Sequence, residues 1–352
     1  MTASTQVHRR THVKADGRKL FLYGWRPHEL PLTEELEPGP APQPHLRWHP
    51  LRGEWVGYAS HRQERTFKPP AEFCPLCPVQ AHGFPGEIPF ADFEIAVFEN
   101  RFPAFHPNAP APPELPLPTA PAKGQCEVVV YSAAHSGNVA ALSPERRELM
   151  VRVWADRYRD LLAMPEVAFV MPFENRGEEI GVTLHHPHGQ IYAFPFVPPA
   201  VAPLVGAFRA APVLTDLRAG IGDAYDIAGN DRAVAFVPPC ARFPSEVWIM
   251  PRAFHPGPWT FDDADVSAFA AVLGEVVARL DGLYGKPMPY LCILYAAPRG
   301  EEAHFHFHIQ IYPFLRTADR LKYLAGCEQG AGMFLVDGLP EQMAARLREV
   351  TP

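Results

Sequence analysis

The chain has 352 residues, more than a usual single domain, so two units or one duplicated unit are expected. Hydrophobic residues make up 47% and charged residues 20%, which is typical of a globular protein with a buried core and not of a disordered chain. The formal net charge of -7 is spread without blocks of one sign. This disfavours nucleic-acid or membrane-surface binding, whereas a few local Arg and Lys residues suffice for a phosphorylated small molecule.

The N-terminal sequence carries no expected targeting segment. Residues 1–11 are polar, and no apolar stretch follows Arg9 and Arg10, so a signal peptide is not expected. No run of about 18 apolar residues occurs, so no membrane-spanning helix is expected. We therefore predict a cytoplasmic protein. The 42 prolines cluster at 38–50, 107–121 and 195–203, where we expect loops or linkers.

A first unit can be followed along the chain. An apolar run predicts a buried strand at 127–132, followed by a loop at 134–137. Ser143 and Pro144 form the start of a helix, as an N-cap and a proline at the first helical position. The remaining predicted elements are a strand at 167–173, a loop at 174–179 and a closing strand through His186, His188, Gln190 and Tyr192.

The same order of elements returns about 120 residues later. The second set comprises a strand at 246–251, a loop at 254–255, a helix from 260–263 to about Tyr284, a strand at 291–295 and a closing segment at 304–312. Both closing strands contain Gln-Ile-Tyr, and matching Gln190 with Gln310 pairs His188 with His308. We interpret this as duplication of one α+β unit with mainly antiparallel sheets and a helix packed on each, and the alternative is a chance match.

This repeat defines the expected domain organisation. Residues 1–44 form an N-terminal extension, residues 45–200 a first repeat, and residues 201–352 a second, degenerate repeat with the C-terminal segment.

The strongest local signal is the run His186-Pro187-His188-Gly189-Gln190. Residues two apart in a strand share a face, so His186, His188 and Gln190 are expected to project together. Pro187 cannot donate to a ladder and Gly189 has no side chain, so the strand lies at an edge or beside a group that approaches its backbone closely. A phosphate is such a group.

The chemistry expected of this run is nucleophilic attack on phosphorus by His188. An imidazole acts as a neutral nucleophile when its other ring nitrogen donates to a fixed acceptor. The amide of Gln190 can then donate to a nonbridging oxygen of the phosphoryl group. The alternative is a surface strand with incidental histidines. His308 is flanked by Phe307 and Ile309 instead of a glycine, so the second copy is expected to be a binding or structural remnant.

Two further clusters have metal-binding alternatives. Cys74 and Cys77 have the two-residue spacing that brings two thiolates to one tetrahedral zinc, and His135 and His186 are candidates for the other two ligands. The alternative is a pair of buried or redox-active cysteines. A row of His304, His306 and His308 can also coordinate metal, but a core-facing or exposed row is the favoured interpretation. If the four-ligand site forms, its zinc is structural and clamps the strand that presents His188.

At these residues the chain resembles the galactose-1-phosphate uridylyltransferases, a branch of the histidine-triad superfamily, over roughly residues 45–330. The resemblance implies a fold of duplicated histidine-triad-like units. It rests on motifs at 60–65, 74–77, 98–102, 132–136, 173–177, 186–190 and 322–328. Hydrolases of the superfamily carry a further histidine where this chain has Gln190, which favours transfer over hydrolysis.

The resemblance implies a ping-pong reaction in galactose metabolism. His188 attacks the α-phosphorus of UDP-glucose, expels glucose 1-phosphate and holds UMP, and galactose 1-phosphate takes the UMP to give UDP-galactose. Further positions that match nucleotide, phosphate or sugar contacts of the family are Arg62, Arg65, Asn100, Arg101, Asn175, Gly181, Val182, Thr183, Gln190, Lys322 and Glu328. The zinc ligands of the family fall on Cys74, Cys77, His135 and His186.

Departures from the family pattern limit these expectations. Residues 191–208 contain no Glu, Asp or His, Tyr295 stands where one metal-binding histidine would be, and Gln310 replaces another, so a second metal is expected to be absent. Cys327 replaces a sugar-proximal aromatic, which leaves hexose specificity open. The resemblance also implies a homodimer in which each active site borrows residues from the partner.

Two other functions fit the same residues. A transferase of the same branch that moves adenylyl groups between ADP-glucose and phosphate would keep every catalytic residue. A noncatalytic, zinc-stabilised nucleotide-binding module would keep the metal ligands but form no covalent intermediate.

Overall fold

The computed structural model describes residues 6–28, 41–64, 68–79 and 85–351. It divides into two compact units. The first unit comprises residues 1–137, 152–172 and 183–204, and the second comprises residues 138–151, 173–182 and 205–352. Among the described residues, no helix is both long enough and apolar enough to span a membrane.

In the described part of the chain the β-strands are β1 (His8–Val13), β2 (Lys19–Gly24), β3 (His45–His49), β4 (Glu54–Tyr58), β5 (Ile95–Glu99), β6 (Thr119–Pro121), β7 (Gln125–Val130), β8 (Phe169–Arg176), β9 (His188–Phe194), β10 (Asp226–Gly229), β11 (Ala233–Phe236), β12 (Val247–Pro251), β13 (Tyr290–Tyr295), β14 (His308–Pro313), β15 (Leu315–Thr317) and β16 (Arg320–Leu321). The α-helices are α1 (Pro144–Leu162), α2 (Ala202–Ala210), α3 (Val213–Ile221), α4 (Asp263–Gly282) and α5 (Pro340–Glu349).

The first unit is built on an antiparallel sheet in which β1, β2, β5, β7 and β9 lie side by side in that order. β9 is in register with β7, so His188 lies opposite Val130 and Gln190 lies opposite Val128. A smaller sheet of β4, β3 and β6 belongs to the same unit. The N-terminal hairpin of β1 and β2 thus extends the sheet that carries the candidate nucleophile.

The core of the first unit lies on both faces of this sheet. Side chains of β2, β5 and β7 pack against the segment that contains Cys74 and Leu76, and Phe90 and Phe93 lie in the same cluster. On the helix side, the buried Arg157 of α1 makes two hydrogen bonds to the buried carboxylate of Glu127 on β7, at 2.9 and 2.7 Å. The strand that pairs with β9 is therefore fixed from both sides.

The second unit repeats this arrangement. Residues 173–176 of β8 pair with β13, which is followed by β14, β12, β11 and β10, all antiparallel. Helix α4 packs against β11 and β12 and begins with a capping box between Asp262 and Asp265. Gln310 lies opposite Trp248, and Gln190 lies opposite Val128. Gln310 follows Gln190 by 120 positions, and Trp248 follows Val128 by the same number. The predicted fold class, duplicated units of antiparallel sheet with packed helices, is confirmed.

Some local expectations were wrong. The proline-rich segments 38–50 and 107–121, expected to be extended loops or linkers, contain the paired strands β3 and β6. Pro121 is the last residue of β6, so it does not interrupt the pairing of this short strand. The closing strand β9 begins at His188, two residues later than predicted, so His186 precedes it.

Candidate active site and metal centre

Four side chains of the first unit converge on one point. Cys74 follows the short 3-10 helix Ala71–Phe73, Cys77 follows three residues later, His135 lies in the loop after β7, and His186 precedes β9. Their ligand atoms all lie within 4.8 Å of one another. Nδ1 of His186 lies 3.4 Å from Sγ of Cys77 and 4.0 Å from Sγ of Cys74, and Nδ1 of His135 lies 3.2 Å from Sγ of Cys77. The structure therefore brings all four predicted metal ligands together.

The chemistry of this cluster fits a metal ion. Nε2–H of His186 donates to the carbonyl oxygen of Ser132 at 2.8 Å, which leaves the lone pair of Nδ1 facing the two thiols. Burial lowers the pKa of His186 to about 4 and keeps the ring neutral, as a ligand must be. Burial, together with Cys74, raises the pKa of the Cys77 thiol to about 12. A divalent cation supplies the positive charge that stabilises thiolates at such a place, and two thiols with two imidazoles suit zinc.

The segment that carries the cysteines is anchored to the N-terminal hairpin. The backbone N–H of Glu87 donates to the carbonyl of Pro75 at 2.8 Å. The buried carboxylate of Glu87 accepts hydrogen bonds from Lys14, which is also buried, and from Arg18 at 2.9 Å. These two cations hold the pKa of Glu87 below its ordinary value against the effect of burial. Glu87 thus links the cysteine segment, through its backbone, to the turn that joins β1 to β2, through its carboxylate.

His188 is held in one orientation by its own chain. Its Nδ1 lies 2.7 Å from the carbonyl oxygen of His186, so Nδ1–H donates and the lone pair is on Nε2. Burial lowers the pKa of His188 below its ordinary value, which keeps the ring neutral at pH 7. The arrangement provides the fixed acceptor that a neutral imidazole nucleophile requires.

The exposed face of β9 carries the polar side chains. His188, Gln190, Tyr192 and Phe194 are partly exposed, whereas Gly189, Ile191 and Ala193 alternate with them and are buried. The predicted common face therefore holds for His188 and Gln190. It does not include His186, because that residue precedes the strand and its ring turns toward the cysteines. At this bend, Nδ1–H of His188 donates to the backbone oxygen of His186.

The other predicted contacts of the first unit lie in a 3-10 helix and in loops. Arg62 is in the 3-10 helix Ser60–Glu64 and donates from Nη1 to the hydroxyl of Tyr192 at 2.8 Å. The carbonyl of Thr183 accepts from the backbone N–H of Lys68 at 2.8 Å. Arg65 lies outside the described residues.

Asn100 and Arg101 line a cleft of about 310 Å³. Other residues around this cleft include Asp16, Arg18, Glu99, His106, Gln125 and Cys126. The side chain of Asn100 accepts from the N–H of Phe102 at 2.8 Å and so shapes the turn after β5. Sequence reasoning missed the N-terminal contribution to this cleft from Asp16 and Arg18, since residues 1–44 gave no recognisable motif.

The remaining predicted contacts belong to the second unit. Asn175 lies on β8 opposite Leu291, and Gly181 ends the 3-10 helix Glu178–Ile180 with φ of 85°, a left-handed conformation that favours glycine. Val182 follows it in the same unit.

Lys322 and Glu328 of the second unit are both buried and contact each other. Nζ of Lys322 donates to Oε1 of Glu328 and to the carbonyl of Leu335, both at 2.7 Å. The structure therefore pairs these two predicted sugar contacts and uses them to fold the loop that contains them.

Comparison with known proteins places the chain. The profile of the galactose-1-phosphate uridyl transferase N-terminal domain matches residues 39–198. The galactose-1-phosphate uridylyltransferase of Thermotoga maritima is 35% identical over 317 residues, which cover 86% of this chain and 98% of that protein. The chain belongs to the galactose-1-phosphate uridylyltransferase family.

Solved structures agree with this membership. A structure described as that of a uridylyltransferase superposes with a TM-score of 0.76 at 29% identity and covers 87% of this chain and 98% of its own. An ADP-glucose phosphorylase from Arabidopsis thaliana, solved with bound ADP-glucose, has a TM-score of 0.66 at 22% identity, covers 88% of this chain and 99% of its own, and shares the fold alone. As a member of the uridylyltransferase family, the protein is a nucleotidyltransferase.

Within this uridylyltransferase the second repeat carries a closed copy of the site. Nδ1–H of His308 donates to the carbonyl of His306 at 2.9 Å, as in the first repeat, but Nε2 accepts from the amide of Gln310 at 3.1 Å. The ring of Tyr295 stacks on His308 at 5.3 Å. His308 is buried, and its lone pair is occupied, so it cannot act as a nucleophile in this arrangement.

Two of the three histidines of the row in the second repeat, His306 and His308, face the core. His306 and His308 are buried, whereas His304 is exposed, and the three do not form a metal-ligand cluster among the residues that the structure describes. The core-facing interpretation is therefore supported for His306 and His308.

Proposed function

We propose that this uridylyltransferase transfers UMP between UDP-glucose and galactose 1-phosphate in a ping-pong reaction, with the uridylyl group held covalently on His188 between the two half-reactions. Family membership supports UMP transfer in galactose metabolism. The observation that carries the covalent step is the 2.7 Å hydrogen bond from Nδ1 of His188 to the carbonyl of His186, because it leaves the lone pair on Nε2.

Each half-reaction exchanges one bond for another. Nε2 of His188 attacks the α-phosphorus of UDP-glucose, a nitrogen–phosphorus bond forms, and the bond to the bridging oxygen breaks as glucose 1-phosphate leaves with the electron pair. A phosphate oxygen of galactose 1-phosphate then attacks the same phosphorus, and His188 leaves as a neutral ring. No net proton transfer is required. Gln190 donates its amide to a nonbridging oxygen in both steps.

Basic and amide groups hold the substrates in this scheme. Guanidinium groups match phosphate oxygens through their paired donors, and backbone amides of a turn do the same without adding charge. We assign substrate contacts to Arg62, Arg65, Asn100, Arg101, Asn175, Gly181, Val182, Thr183, Gln190, Lys322 and Glu328.

We assign one structural zinc ion to Cys74, Cys77, His135 and His186. The zinc would fix the residues before β9, and the reaction on His188 would not pass through it. No second metal is proposed, because the lone pair of His308 accepts from Gln310 and the ring of Tyr295 stacks on His308.

We further propose a cytoplasmic homodimer in which each active site borrows residues from its partner. Large apolar side chains stay exposed around the loop that contains Lys322 and Glu328, among them Tyr323 at 74% and Met333 at 62% exposure. Covering such side chains is a common reason for self-association. Sedimentation of the purified chain tests this, and a monomer at micromolar concentration would exclude it.

Mass spectrometry of the intact protein tests the covalent step. Incubation with UDP-glucose alone is expected to add one UMP, and His188→Ala is expected to abolish the adduct. His308→Ala, the matched change in the second repeat, is expected to retain it in folded protein. No adduct on the wild-type protein would favour a noncatalytic nucleotide-binding module.

Substrate identity needs a separate comparison. Turnover of UDP-glucose with galactose 1-phosphate is expected to exceed turnover of ADP-glucose with phosphate. Turnover with the adenine nucleotide alone would overturn the uridylyl assignment while keeping the histidine chemistry.

A further inference from the structure

The Gln-Ile-Tyr sequence occurs in both repeats, but its tyrosine has two different partners. In the second repeat the hydroxyl of Tyr312 donates to Oε1 of Gln310, whose amide donates to His308. In the first repeat the hydroxyl of Tyr192 accepts from Nη1 of Arg62 at 2.8 Å. The same residue therefore closes the site in one copy and binds a cation in the other.

Burial separates the two copies in the same way. Every residue of β14 is buried, so the contact between Tyr312 and Gln310 is an internal one. On β9 the residues that share a face with Tyr192 are partly exposed, and they include His188 and Gln190. Since Tyr192 projects from this face, its hydroxyl draws the guanidinium of Arg62 to the side of the strand on which the nucleophile lies.

The ring of Tyr192 is itself fixed by aromatic neighbours. Phe105 meets it edge-on at 6.3 Å, and Phe194 lies 6.1 Å away at a tilt of 53°. Phe105 is buried. A hydroxyl on a ring held in this way is a fixed acceptor, whereas an arginine side chain by itself has many rotamers. The hydrogen bond thus reduces the conformational freedom of Arg62 before any substrate binds.

We propose that Tyr192 is a positioning residue that holds Arg62 for a phosphate group of the substrate. The guanidinium offers five donors, and Nη1 uses one of them on Tyr192. A phosphate monoester or diphosphate on the same face of β9 fits the planar fork of donors. This inference rests on the proposed function, because it assumes a phosphorylated substrate beside His188.

The variant Tyr192→Phe tests the inference, since it removes the hydroxyl and keeps the ring that packs against Phe105. Because a hydrogen bond to a charged group is lost, KM for UDP-glucose or for galactose 1-phosphate is expected to rise about tenfold, with kcat changed less than about threefold. The melting temperature is expected to stay near that of the wild type. Tyr312→Phe removes the matched hydroxyl of the second repeat and is expected to leave both KM values unchanged.

A double-mutant cycle with Arg62→Ala separates positioning from a structural effect. If Tyr192 acts through Arg62, Tyr192→Phe has less than about a twofold effect on kcat/KM in the Arg62→Ala background. Equal effects in both backgrounds, or an unchanged KM in the single variant, would overturn the inference. Failure of the proposed function is distinguishable, because wild-type protein would then form no UMP adduct and show no uridylyl transfer.

Discussion

The Nδ1–H of His188 donates to the backbone carbonyl of His186, whose own Nδ1 faces Sγ of Cys77 at 3.4 Å. One residue thus supplies a metal-ligand atom from its side chain and orients the candidate nucleophile with its backbone. The opposite ring nitrogen of His186 is fixed by the carbonyl of Ser132. Anything that moves His186 is therefore expected to change both metal binding and the orientation of His188.

Removing one thiol tests this coupling. In Cys74→Ser we expect loss of the bound metal, a lower melting temperature and slower formation of the UMP adduct, because the metal no longer holds the ring of His186. Metal analysis and thermal unfolding measure the first two effects. Cys240→Ser is the control, since Cys240 is exposed and lies outside the cluster. Metal-free wild-type protein, or unchanged stability of Cys74→Ser, would contradict the structural-zinc assignment.

Gln190 is expected to act through its amide hydrogens. Gln190→Glu keeps the shape of the side chain but places a negative charge beside the phosphoryl oxygens, so the rate of adduct formation is expected to fall about 100-fold. Rapid-quench measurement of glucose 1-phosphate release gives this rate. The same substitution at Gln342, an exposed residue of α5, is expected to have no effect. A rate in Gln190→Glu within about threefold of wild type would be incompatible with a donor role.

The ion pair of Arg157 and Glu127 is expected to be important for stability. Both side chains are almost fully buried, and two hydrogen bonds join them. Glu127→Gln leaves the guanidinium without its buried counter-charge and is expected to cost about 3 kcal/mol of unfolding free energy. Arg52→Ala removes the more exposed pair with Glu54 and is expected to cost less than about 1 kcal/mol. Urea unfolding measures both, and similar costs for the two variants would refute the expectation.

The loop held by Glu328 is expected to open in acid. Hydrogen bonding from Lys322 lowers the pKa of Glu328 to about 2 from the ordinary 4.5. Between these values the open loop binds more protons than the closed one, so the stabilisation is present above pH 4.5 and is lost as the pH falls toward 2.

Hydrogen exchange at two amides measures this opening. The N–H groups of Ala325 and Leu335 donate to the Glu328 carboxylate, so their protection factors are expected to fall across the same pH window. In Glu328→Gln the protection is expected to be lower at neutral pH and to change less with pH. An equal pH dependence in both proteins would rule out Glu328 as the titrating group.

Much of the fold followed from local patterns. Helix α1 begins at Pro144 as predicted, and the N–H of Arg146 donates to Oγ of Ser143 at 3.3 Å. The Gln-Ile-Tyr repeat predicted two equivalent strands. Gln190 and Gln310 are 120 positions apart, and so are the residues that lie opposite them, Val128 and Trp248. Such features can be predicted from the sequence because helix capping and strand alternation depend on residues that are close in sequence.

Other parts of the site could not be predicted from the sequence. The N-terminal residues gave no motif, yet the turn after β1 supplies Lys14 and Arg18 to the carboxylate of Glu87, whose backbone N–H donates to Pro75 between the two cysteines. Tyr192 was recognised only as part of a repeat, since nothing local indicates that its hydroxyl meets Arg62, 130 residues away. Contacts of this kind depend on strand order, which a single sequence does not specify.

The sequence by itself determined which chemical groups are present: two thiols, two imidazoles that could join them, and a histidine beside glycine and glutamine. Only the tertiary structure decided which atoms face one another. The bend before β9 separates His186 from the strand face, so one imidazole turns to the thiols while the next keeps a free lone pair on Nε2. In the second repeat Gln310 occupies that same lone pair of His308. A hydrogen bond of about 3 Å depends on backbone direction and burial, and these are properties of the folded chain.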